Sequence, residues 1–156
     1  DIPFHVCKSF KKIKYTGCLP ITPKSIENLQ KCTNLQNLSL QEFTFDAISS
    51  FESFLFSKRC RQLTHLHLDS MDLTIPIETN NLTNLQFFSA LNNSCLSENE
   101  LQELGTHCKK LKSAILEIKD ISEEALNRFI QSQPNLEELT LRKCDIFYKK
   151  ISFLRP

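Results

Sequence analysis

The side chains best placed to do chemistry are His65, His67 and Asp69, which alternate along five residues. In an extended chain such alternation puts two imidazoles and a carboxylate on one face. Two imidazoles plus a carboxylate could bind zinc, but a third fixed ligand and a second shell are not evident. The triplet therefore reads as a polar contact patch. The seven cysteines form no C-x-x-C pair, and their count is odd. Nucleophilic catalysis needs a base beside an activated hydroxyl or thiol. His5 and His107 have no such motif around them, and Ser94 and Ser97 read as turn and cap residues. No enzymatic activity, cofactor or metal is expected. With Gly17 and Gly105 as the only glycines, a phosphate-cradling loop is nearly excluded.

The elements that position these side chains recur along the chain. An apolar residue, another three later and another two after that occur at Phe10-Ile13-Tyr15, Leu35-Leu38-Leu40 and Leu63-Leu66-Leu68. They recur at Leu85-Phe88-Ala90, Leu111-Ala114-Leu116 and Leu136-Leu139-Leu141. The intervals between first positions are 25, 28, 22, 26 and 25 residues, within the range of one strand-plus-helix repeat unit. Three residues before each first position stand Cys7, Cys32, Cys60, Leu82, Cys108 and Gln133. Cysteine at a repeated site is best explained as a small buried core residue, inert as a thiol.

Between the strands the chain carries helix-start signals. Thr22-Pro23 reads as N-cap and first helical residue, Ser97 and Glu100 as a capping box, and Ser122 as the cap of a helix opening with Glu123 and Glu124. Asp46 precedes a further helical pattern through Leu55, and residues 74–81, with Pro76, read as extended or 3₁₀. The tail after Ile146 is too short for another repeat and is expected to close the last unit.

The segments KCTNLQNLSLQEF, RCRQLTHLHLDSM, HCKKLKSAILEI and QPNLEELTLRKCDI resemble the cysteine-containing leucine-rich repeats, which group with the ribonuclease-inhibitor-like solenoids. The resemblance spans roughly residues 7–147. It implies an α/β solenoid, with a parallel sheet on the concave face and helices on the convex face. Residues 1–156 then form a single domain of about six repeats, part of a longer chain. Similar repeats select substrates in F-box proteins of SCF-type ubiquitin ligases. They also resemble the C-terminal ligand-sensing or autoinhibitory repeats of NOD-like innate-immune receptors. The implied function is recognition of another protein, with no oligomeric state specified.

On such a scaffold, strand residues that point away from the core line the concave surface. The candidate contact residues are His65, His67, Asp69, Phe87, Leu91, Ile115, Glu117, Glu138 and Arg142. Phe87, Leu91 and Ile115 form an expected exposed apolar patch with a polar rim, the anatomy of an interface. The lysine clusters at Lys8–Lys14, Lys109–Lys112 and Lys149-Lys150 lie far apart in sequence and read as solvated rims, and the formal net charge is only +1. Neither a nucleic-acid nor a membrane partner is expected. Reduced thiols without disulfide-rich caps point to an intracellular setting, cytoplasmic or nuclear.

Overall fold

The computed structural model describes residues 9–16, 22–43, 58–71, 80–92, 96–118, 121–143 and 148–152. Within them, one seven-stranded sheet runs in sequential order. Its strands are β1 (Lys12–Thr16), β2 (Asn37–Phe43), β3 (His65–Met71), β4 (Phe87–Leu91), β5 (Ser113–Ile118), β6 (Glu138–Lys143) and β7 (Tyr148–Ser152). The first six pair in parallel. The last pairs antiparallel, with Leu139 opposite Ile151. Only residues 144–147 separate β6 from β7. That is too short for a parallel crossover, so the chain can only turn back.

Among the described residues, three α-helices connect strands: α1 (Pro23–Leu29), α2 (Glu98–His107) and α3 (Glu123–Ser132). A 3₁₀ turn, Lys58–Gln62, leads into β3. All three helices start where the sequence signals put them. The Thr22 hydroxyl accepts from the Ser25 N–H, with Pro23 at the start of the helix. Ser97 and Glu100 form a reciprocal capping box, and the Ser122 hydroxyl accepts from the Ala125 N–H. Each cap contributes about 1 kcal/mol by satisfying donors the helix itself cannot. The expected helix after Asp46, the segment through Pro76 and the thiols Cys7, Cys18, Cys95 and Cys144 lie outside the described residues.

Stacking follows one backbone rule. The carbonyl just before each of β1 to β5 accepts two N–H groups from the same place in the next unit. Lys11 accepts from Gln36 and Asn37, Gln36 from Thr64 and His65, and Thr64 from Gln86 and Phe87. Gln86 accepts from Lys112 and Ser113, and Lys112 from Glu137 and Glu138. Side chains add a second ladder. Asn84 Nδ2 donates to the Arg61 carbonyl at 2.7 Å, and Asn135 Nδ2 to the Lys109 carbonyl at 2.9 Å. Both amides stand directly before the first apolar residue of their unit.

The core is one cluster between sheet and helices. Alternation buries Leu38 and Leu40, Leu66 and Leu68, Phe88 and Ala90, Ala114 and Leu116, and Leu139 and Leu141. Leu35, Leu63, Leu85, Leu111 and Leu136 are buried beneath them, and Ile26, Leu29, Leu101, Leu104 and Phe129 close the cluster from the helices. Each large side chain so buried contributes roughly 1.5–3 kcal/mol. Phe10 departs from the pattern and is 46% exposed. Cys32, Cys60 and Cys108 are buried. Burial pushes the Cys108 pKa up to about 12, which keeps it a protonated, unreactive thiol. Gln133 takes the same repeat position and is fully buried, its amide donating to the Gly105 carbonyl at 3.1 Å.

Candidate protein-interaction face

The parallel register brings the sheet residues that point away from the helices into rows. The first row is Lys12, Asn37, His65, Phe87, Ser113 and Glu138. The second is Lys14, Ser39, His67, Ser89, Ile115 and Thr140. The third contains Thr16, Gln41, Asp69 and Leu91, and then Glu117 beside Arg142. All nine residues singled out from the sequence therefore sit on one face of one sheet.

Their exposure divides them. His65 and Glu138 are exposed; His67, Asp69, Phe87, Ile115, Glu117 and Arg142 are half-buried. Leu91 is buried, with 6% of its surface accessible. The expected exposed patch of Phe87, Leu91 and Ile115 is therefore corrected to Phe87 and Ile115. Asn92 stands next to Leu91. It turns the chain out of β4 with a positive φ of 51°, a conformation asparagine tolerates better than most residues. Its side-chain amide donates to Asp69 Oδ1 at 2.7 Å, and its backbone N–H donates to Glu117 Oε2. The bridge ties Asp69 and Glu117 to the residue that directly follows buried Leu91.

The imidazole of His65 stacks against the ring of Phe87, with centroids 5.9 Å apart and planes inclined by 25°. Thr64 Oγ1 lies 2.9 Å from His65 Nδ1. His67 is engaged differently: its Nε2 lies 2.8 Å from Gln41 Nε2. Partial burial lowers the His67 pKa below its ordinary value; Asp69 pulls it back up and Lys14 pushes it further down. With Nε2 facing an amide donor, neutral His67 accepts there and carries its proton on Nδ1. The Ser89 hydroxyl, between His67 and Ile115 in its row, is fully buried and makes no hydrogen bond.

These engagements bear on the chemistry the face can do. His65, His67 and Asp69 each turn to a different neighbour, and among the described residues no three His, Cys, Asp or Glu side chains converge as a ligand set. What the face offers is shape, an aromatic and an aliphatic surface, and polar groups fixed by their neighbours. Sequence reasoning missed Asn92 and Gln41, which hold Asp69 and His67. An Asn directly after a strand was the available signal for the first; the second needs the register.

On the helix side of the sheet, a groove of about 390 Å³ lies between α2 and α3. Gly105, Ala125 and Phe129 line it together with Glu98 and Arg128. It shares no residue with the candidate face. No described helix is long and apolar enough to cross a membrane. No protein-family model matches the chain, and no curated protein matches it either.

Proposed function

We propose that this chain is a leucine-rich-repeat solenoid whose open sheet face recognises another protein, and that it catalyses no reaction itself. The observation that carries this reading is the half-buried apolar pair Phe87 and Ile115, set in a face that is otherwise polar. An aromatic anchor ringed by hydrogen-bonded polar groups matches the centre and rim of a protein interface. The double acceptance repeated before β1 to β5 supports the repeat reading, since successive units share one backbone contact. His65, His67 and Asp69 lie to one side of the anchor and Glu117, Glu138 and Arg142 to the other. Leu91 supports the face from beneath and is not a contact.

Within protein recognition, the resemblance favours the substrate-recognition part of an SCF-type ubiquitin ligase subunit. The alternative is the ligand-sensing end of an innate-immune receptor, and an intracellular setting suits both. Affinity capture with the chain and with a Phe87→Ala/Ile115→Ala variant tests the reading, with Asn127→Ala on the exposed side of α3 as control. The expected result is a protein retained by the chain and the control and lost from the double variant. Identical capture by all three would overturn it.

A further inference from the structure

The lysine and arginine residues that are distant in sequence meet on one edge of the sheet. Residues just before parallel strands share that edge, so stacking places Arg61 of the 3₁₀ turn before β3 two strands from Lys109, Lys110 and Lys112 before β5, with Asn84 of the β4 unit between them. The contacts are continuous. Asn84 donates to the Arg61 carbonyl, and its Oδ1 accepts from Lys110 Nζ at 2.6 Å. Arg61 Nε donates to Asn81 Oδ1 at 3.3 Å. One neutral amide, that of Asn84, thus holds two cationic residues together.

Among the described residues, few carboxylates pair with the cations of this edge. Among the described residues, its ion pairs are Lys112 with Glu137, exposed and 3.9 Å apart, and His107 with Glu103. The hydrogen-bond partners of Arg61, Lys109 and Lys110 are amide and carbonyl oxygens. Such acceptors fix a side chain without cancelling its charge. Like charges gathered without counter-charges raise the local potential and cost stability. Lys109 ties two helix ends together; Arg61 and Lys110 bond neutral amides, and Lys112 has only the long, exposed pairing with Glu137.

We infer that this edge is a second interaction surface, which takes an acidic, extended segment of a partner protein. It is independent of the open face and does not need Phe87. Arg61 and Lys110 belong to units two strands apart, about 10 Å, which matches residues three apart in an extended chain. A single-stranded nucleic acid also carries negative charge, but it needs aromatic platforms along its path. Phe10 is the exposed large aromatic among the described residues, and it lies at the β1 end, away from Arg61 and Lys110. The observations therefore favour carboxylates.

The test is fluorescence anisotropy at low salt with a short labelled peptide carrying Glu at every third position and Ser between, set against an oligothymidylate of equal charge. The variant is Arg61→Gln/Lys110→Gln/Lys112→Gln, which spares Lys109, and a thermal melt checks its fold. The expected result is peptide binding about tenfold weaker in the variant, weakened further by salt, and unchanged by Phe87→Ala. Arg61→Lys, which keeps the charge, should bind as the parent does. No peptide binding, binding that the triple variant leaves intact, or tighter binding of the oligonucleotide would each overturn the inference. Because Phe87→Ala and the triple variant are measured side by side, failure at the edge is distinguishable from failure at the face.

Discussion

His65 and Phe87 occupy the same row of adjacent strands, and their rings stack with centroids 5.9 Å apart. The strand register alone makes them neighbours. The contact fixes the Phe87 ring without covering it, and a fixed, accessible aromatic loses little entropy when a partner closes over it. A double-mutant cycle with His65→Ala and Phe87→Ala should give a coupling of about 0.5 kcal/mol in chemical denaturation. Additive effects would mean that the rings are adjacent but not coupled.

Leu91 and Phe87 should separate stability from recognition. Leu91 is buried beside the Asn92 bridge, so Leu91→Ala should cost about 2–3 kcal/mol of stability. Phe87→Ala, at a half-buried position, should cost about 1 kcal/mol. Equal losses in urea unfolding would contradict the burial assigned to these two positions.

Lys109 ties two helix ends together. Its ammonium donates to the Gly105 carbonyl at 2.5 Å and to the Ser132 carbonyl at 3.1 Å, near the C-termini of α2 and α3. A cation there completes carbonyls the helices leave open and opposes their dipoles. Lys109→Met keeps the stem and removes the charge, and should lower stability by about 1 kcal/mol. A thermal melt identical to the parent's would show that the tie contributes nothing.

His67 gives the fold a pH dependence of definite sign. Its folded pKa lies below the ordinary 6.5, so the unfolded chain takes up the proton first. Its contribution is complete above about pH 6.5 and is lost as pH falls toward the depressed folded value. Stability should therefore drop on acidification in this window, and His67→Gln should flatten the drop. An unchanged slope in the variant would assign the acid sensitivity to other groups.

Much of this architecture was legible in the residues. The apolar spacing located β1 to β6, and Thr22, Ser97 and Ser122 marked helix starts because capping is a local event. Alternation also assigned every candidate contact residue to its face. It could not assign depth, since Leu91 and Phe87 have the same parity in β4. Beside Leu91 stands the turn at Asn92, whose bonds reach Asp69 and Glu117 in other strands, and such relationships between units do not show in the alternation. The basic edge escaped for the same reason. Arg61 and Lys110 are far apart along the chain and are neighbours only through stacking and Asn84.

The central claim is that a partner protein docks on the open face around Phe87. The most direct measurement is the affinity of the purified, captured partner for the chain and for Phe87→Ala, by titration calorimetry. A loss of about thirtyfold is expected, the scale of an interface hot spot, with the variant still folded. An affinity unchanged by Phe87→Ala would contradict it and move recognition off this face.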